Sequence, residues 1–214
     1  MRTFCLTCVL CLALLLTSTN TVAQTLSGGL VGGINASMFS DFPSPGPETQ
    51  RRSTGLAAGV YLEFPLGRVV SLQAEVIYAQ KGSRVEGPPA PGAASTVFLS
   101  ERFDYVEVPI LVRFGATGDR SGIYGVAGPA IARLVRARER FDVPGVPVLD
   151  QDIADGVNAT DAGLVVGAGF STGRLAIEGR LDVGLRNLIP PADRRTGDPA
   201  PANRSVGVVA RLRL

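Results

Sequence analysis

The chain has 214 residues, 45% of them hydrophobic, and its 21 basic and 19 acidic residues give a formal net charge of +2. This near balance carries no electrostatic signature of nucleic-acid binding, so we expect no nucleic-acid partner. The chain contains no histidine, which excludes Ser-His-Asp and Cys-His catalysis as well as histidine metal sites.

The first 23 residues have the pattern of a secretory signal peptide. Arg2 precedes an apolar stretch over residues 4–16, and small residues lead up to Ala23. A basic start, a short apolar core and a small residue at the cleavage point are typical of such peptides. All three cysteines lie within this segment, and lipid attachment to one of them is the alternative interpretation. We predict cleavage after Ala23 and a single domain over residues 24–214.

The remaining chain alternates with a period of two residues, which is the period of a β-strand. Around residue 181, for example, Leu181 and Val183 alternate with Arg180 and Asp182. Eight segments of about 10–14 residues show this alternation, and that length fits a tilted membrane-spanning strand. The segments are residues 26–37, 56–64, 70–78, 105–114, 122–136, 162–173, 174–187 and 205–214.

The connections between these segments alternate between long and short. Residues 66–68, 115–121 and 172–173 are short, whereas the other four connections are long and polar. Antiparallel strands with short turns at one end and long loops at the other are typical of outer-membrane barrels. We therefore predict an all-β fold, an eight-stranded antiparallel up-and-down transmembrane β-barrel preceded by a cleaved signal peptide. An even strand count places both termini at the short-turn, periplasmic end.

Aromatic residues near the short turns form a candidate membrane girdle. Such girdles lie at the interfaces of membrane barrels, although aromatic residues also cap the core of any sheet. The candidate residues are Phe64, Phe114, Tyr124 and Phe170.

One face of the predicted strands is strongly charged, and we interpret it as the lumen of the barrel. Nearly all its cations are arginines, whose planar fork suits paired and partly buried contacts with carboxylates. A narrow eight-stranded lumen is filled by side chains. The predicted lumen charge network comprises Glu63, Glu75, Glu107, Arg113, Arg133, Glu178, Arg180, Asp182 and Arg211.

Two prolines interrupt the alternation. Pro109 and Pro129 fall inside the fourth and fifth strands, where each removes a ladder hydrogen bond. We expect a bulge or a local bend at each.

Five motifs, in order, resemble the PorT-type outer membrane protein β-barrel family of Bacteroidetes-like bacteria. They are GINAS at residues 33–37, GVYLEFPL at 59–66, SLQAEVIYAQKG at 71–82, DYVEVP at 104–109 and AGP at 127–129. The resemblance implies a small outer-membrane barrel, and it includes both prolines. Its name-giving members take part in protein secretion. One departure is Leu214, because such barrels usually end in an aromatic residue that the barrel-assembly machinery recognises.

These observations favour a non-enzymatic integral barrel of the outer membrane, with a filled polar lumen and a structural or loop-mediated role. Two alternatives stay open: a soluble periplasmic barrel that binds a small apolar ligand, and a narrow-pore channel. The lipid-modifying chemistry of small membrane barrels uses histidine, which is missing here. We see no phosphate-binding loop and no metal cluster, so we expect no cofactor.

The expected partners are outer-membrane lipid, lipopolysaccharide, the barrel-assembly machinery and an unknown protein at the long loops. Basic residues that lead into the third long loop form a possible lipopolysaccharide rim. Arg136, Arg138 and Arg140 would bind its phosphates; the alternative is a solvated strand end.

Overall fold

The computed structural model describes residues 26–40, 49–87, 97–117, 120–142, 148–190 and 200–214. The expected signal peptide, residues 1–23, lies outside the described residues and stays a prediction. Within the described ranges, no helix has the length and apolar character of a membrane span.

The described chain consists almost entirely of antiparallel strands. One short 3-10 turn, Ala154–Gly156, interrupts them. The strands are β1 (Ser27–Ser40), β2 (Thr49–Pro65), β3 (Val70–Gly87), β4 (Val97–Gly115), β5 (Gly122–Asp142), β6 (Leu149–Asp152), β7 (Thr160–Thr172), β8 (Leu175–Gly184) and β9 (Ala202–Arg213).

Eight long strands close into a barrel. Each pairs with its neighbour in the meander, β4 pairs with β5, and β1 closes the ring against β9. At the seam, Val31 lies between Gly59 of β2 and Arg211 of β9. The short β6 is an appendage that, among the described residues, pairs with the upper end of β5 alone. The predicted all-β, eight-stranded up-and-down topology is therefore confirmed.

Side chains alternate between an apolar outer wall and a largely polar interior. On the outside, Val60, Leu62, Leu181 and Val208 are each 46–51% exposed. Inside, charged side chains such as Glu178 are fully buried. This arrangement is that of a membrane barrel, in which the apolar band faces lipid and the polar face lines the lumen.

The strands β2 to β5 are longer than expected. They have 17, 18, 19 and 21 residues, whereas 10–14 were predicted. The outward apolar band of β4 ends at Val106, and β4 continues beyond it from Arg102 up to Val97. The upper ends of these four strands therefore extend past the membrane as one four-stranded sheet. The period-two signal fails there because polar residues occupy both faces.

The expected bulges at Pro109 and Pro129 are absent. Pro109 pairs with Ala130 and Pro129 with Leu164, each in the same register as its neighbours. The predicted bulges are wrong because a missing N–H removes one ladder bond without demanding an extra residue; the alternative, a local bend at each proline, stays a prediction. Register shifts instead occur between Arg52 and Ala57 in β2, and opposite β5 between Asp104 and Tyr105 in β4.

Candidate functional site

A layer of ion pairs crosses the centre of the lumen. Arg180 of β8 donates two hydrogen bonds to the carboxylate of Glu75 on β3, at 2.7 and 2.6 Å. Its Nε donates to Glu178, two residues away on the same face of β8. Both carboxylates are at most 1% exposed. A bidentate fork of this kind fixes the arginine geometrically as well as electrostatically.

Arg211 of β9 extends this layer across the lumen. It donates hydrogen bonds to Glu178 and to the side-chain oxygen of Gln73. It also donates to the hydroxyl of Tyr124 at 2.7 Å. Arg211 is 2% exposed, so its charge is balanced entirely by protein groups. Glu178 thereby joins the two arginines into one network.

A second cluster lies nearer the short turns. The Ser71 hydroxyl donates to Glu63 at 2.7 Å, and Arg113 approaches the same carboxylate at 3.7 Å. The Arg113 guanidinium stacks 3.5 Å from the centre of the Tyr124 ring. This cation–π contact joins the cluster to the central layer through Tyr124.

A third cluster lies nearer the loop end. Lys81 and Glu107 form an ion pair at 2.6 Å. Beside them the Ser205 hydroxyl donates to Asp182 at 2.8 Å. Asp182 is only partly buried.

These clusters fill the lumen. The cavities between them measure about 20–30 Å³, which is room for one or two water molecules each. Apolar side chains of the inner wall, such as Val31 and Leu111, fill the spaces between the charges. Among the described residues, no cluster of carboxylates and cysteines is suited to hold a metal ion.

Two predicted placements are wrong. Arg133 is exposed on the outer face, on the same side of β5 as Ile131. Tyr124 is 1% exposed and points into the lumen, so it is no part of an outer girdle. The alternation in β5 was ambiguous because its inward positions are mostly apolar or small, for example Val126.

The other girdle residues lie on the outer wall near the short turns. Phe64, Phe114 and Phe170 are 43%, 57% and 53% exposed.

The sequence analysis missed Gln73, Tyr61 and Lys81 as lumen residues. Each has the same strand parity as Glu63 or Glu75, and that parity was the signal that would have found them.

Arginines lie on the outer wall just beyond the apolar band. Arg136, Arg138 and Arg140 are exposed at the upper end of β5. Arg138 is 3.6 Å from Asp150, and Arg102 is 3.5 Å from Asp104. The pairs are loose and mostly exposed, so they contribute little to stability.

The loop end of the lumen has a different, mostly apolar lining. Phe39 and Phe103 stack at 5.2 Å, close to Leu188. Glu101 borders this cluster and lies directly across the β4–β5 ladder from Glu139. Burial, and then the negative charge of Glu139, raise the pKa of Glu101 to about 7.

Comparison with known proteins identifies the barrel at the level of a family. The family described as outer membrane protein beta-barrel domain matches residues 22–190. A search of curated proteins found no match.

Several solved structures are similar to this chain at low identity. Ail of Yersinia pestis, in complex with the heparin analogue sucrose octasulfate, is 9% identical at a TM-score of 0.43, covering 88% of this chain and 99% of that one. Neisserial surface protein A is 9% identical at 0.40, covering 88% and 97%. OprG of Pseudomonas aeruginosa is 10% identical at 0.42, covering 88% and 91%.

Proposed function

Because the chain belongs to the outer membrane protein β-barrel family and is integral to the outer membrane, we propose that it is a closed, non-enzymatic barrel that acts through its loop end. The observation that carries this proposal is the layer of Glu75, Arg180, Glu178 and Arg211 across the lumen. A lumen filled in this way leaves no continuous water path for solutes.

Conductance tests the closed lumen. The mature protein, inserted into planar bilayers, is expected to show no steady conductance, with a known porin as the positive control. A stable conductance would overturn the closed lumen and favour the narrow-pore alternative.

The soluble alternative required an apolar interior, and the buried charges of the lumen together with the exposed apolar wall make it wrong.

The extended upper ends of β2 to β5 support a role at the loop end. The strands β2 to β5 carry polar and charged side chains past the apolar band, where they meet water instead of lipid. We expect a protein partner there. Surface crosslinking of cells should capture it with the full chain, and should lose it when residues 84–100 are replaced by a short Gly-Ser turn. Equal capture by both proteins would contradict this role.

Two narrower proposals accompany this one. The resemblance to the PorT-type family supports an accessory role in protein secretion, and a secretion defect in a deletion strain is the expected result.

The exposure of Arg136, Arg138 and Arg140 supports binding of lipopolysaccharide phosphates. An Arg136/Arg138/Arg140→Ala variant should then fold less efficiently in lipopolysaccharide, and an unchanged folding yield would contradict that binding.

A further inference from the structure

A groove of about 620 Å³ lies in the outer wall, outside the lumen and near the loop end. Two outward rows of side chains form its floor across β9, β1 and β2. Val208, Ile34 and Leu56 form the lower row; Val206, Ala36 and Thr54 form the upper row. Ile34 and Leu56 are 62% and 60% exposed. The rows lie at the upper edge of the apolar band, on the loop side.

Small residues and a backbone irregularity make this part of the wall concave. Ala36 separates the larger Val206 and Thr54 in the upper row. Between β2 and β3 the register shifts, and the Leu56 amide donates to the side chain of Gln80 at 3.4 Å. At Gly55 a Cβ would lie 2.0 Å from the Gln80 carbonyl oxygen. A glycine is needed at this close approach of β2 to β3 beside the groove.

Arg102 lies at one end of the groove, and its guanidinium is only loosely paired with an acid. It lines the groove, and its side chain is 57% exposed. Its nearest acid is Asp104, at 3.5 Å from Nε. Arg138 lies directly across the β4–β5 ladder from it. Like charges in directly opposed positions destabilise a ladder. Asp104 and Asp150 each lie beside one of the two arginines, at 3.5 and 3.6 Å, and a further anion between the guanidinium groups would lower their repulsion.

We propose that this groove is a specific seat for the lipid A portion of lipopolysaccharide, with one acyl chain along the apolar floor and a phosphate on Arg102. The floor faces hydrocarbon, so a lipid chain is what fills it. The groove lies at the loop end, which faces the outer leaflet, where the lipid is a phosphorylated glycolipid. The planar guanidinium of Arg102 matches the geometry of a phosphate.

This proposal goes beyond the closed lumen and the loop partner, and its site does not include Arg136, Arg138 or Arg140. It rests on the location in the outer membrane and not on either of those functions. Its failure would therefore leave both of them standing, and a conducting lumen would leave the lipid seat standing.

Native mass spectrometry of the delipidated mature protein tests the seat. The probes are bisphosphorylated lipid A, dephosphorylated lipid A and phosphatidylglycerol. We expect one lipid A molecule to bind most tightly, and Arg102→Ala to weaken it about tenfold, the loss of one charged hydrogen-bonded contact. Dephosphorylated lipid A should bind the wild type as weakly as lipid A binds that variant.

Two further variants separate the chain from the phosphate. Ala36→Phe fills the groove without touching a charge, and should weaken lipid A in both phosphorylation states. Arg174→Ala removes an exposed arginine at the opposite, short-turn end, and should change nothing. Binding that is equal in wild type, Arg102→Ala and Ala36→Phe would overturn the proposal. Equal affinity for phosphatidylglycerol and lipid A would overturn the choice of lipid.

Discussion

Arg180 holds two buried carboxylates at the centre of the barrel. Replacing it by Met would leave the charge of Glu75 without its cation and weaken the balance around Glu178. Removing one partner of a buried ion pair typically costs about 3–5 kcal/mol. We expect a loss of this size in the free energy of unfolding, measured by urea titration of the barrel in lipid vesicles.

Two comparisons make the Arg180→Met result specific. Adding Glu75→Leu should recover part of the loss, because apolar side chains of similar volume replace the pair. Arg51→Met breaks an exposed pair with Glu86 and should cost less than about 1 kcal/mol. Equal losses for Arg180→Met and Arg51→Met would show that the central layer is not buried as described.

Glu101 gives the loop end a pH dependence. Burial and Glu139 raise its pKa from the ordinary 4.5 to about 7. The folded state therefore binds a proton that the unfolded state releases, so stability falls as pH rises from about 4.5 to about 7. Glu139→Gln should lower the pKa of Glu101, followed by carbon NMR of labelled carboxyl groups. Burial remains, so the pKa should stay above 4.5. Glu86→Gln is the control, and an unchanged pKa in Glu139→Gln would contradict the coupling.

Sequence parity predicted most individual placements, and its failures have one cause. It placed Glu75, Glu178, Arg180 and Arg211 on one face, and the structure buries all four. It misplaced Tyr124 and Arg133 because β5 has few large apolar residues to mark its lipid face. Parity also does not predict which side chains hydrogen-bond to each other. Arg211 donates to Glu178, Gln73 and Tyr124 on three different strands, and these contacts exist only because the barrel closes.

At the scale of the strand, the outward apolar band is the surface that contacts lipid. Its outward residues on β2 run from Leu56 to Phe64, with Val60 in the middle. The eight barrel strands, their order and the short turns were predictable from the sequence, whereas the short β6 fell in a predicted loop. The upper ends of β2 to β5 were not, because alternation exists only where one face meets lipid. Beyond the band, the pairing of these strands leaves no hydrophobic pattern.

Substitutions along this band should show a dependence on depth. Val60→Arg places a charge near the middle of the bilayer, and should cost about 2–4 kcal/mol of unfolding free energy. Val135→Arg, beside Arg136 at the edge of the band, should cost about 0–1 kcal/mol. Both side chains are exposed on the outer wall, so neither variant disturbs the lumen. Equal small costs for both would contradict a lipid-facing wall.

At the scale of the whole molecule, closure removes the free edges of the sheet. Strand β1 pairs with β9 over Gly29 to Ser40, so the two ends of the described barrel hold each other. Among the described residues, every long strand has a partner on both sides. A closed ladder in lipid has all its backbone groups paired internally. A detergent therefore finds no unpaired edge strand at which unfolding of the barrel could begin.

The gel mobility of the detergent-extracted protein measures this closure directly. We expect the unboiled protein to stay folded and to migrate differently from the boiled protein. Val208→Pro lies in the seam opposite Ile34, and proline within a ladder removes a hydrogen bond. Its folded band should weaken or vanish, whereas Val208→Leu should keep it. A single band for the wild type before and after boiling would mean that the ring is not closed in the isolated protein. The lumen network would then lack the wall that buries it.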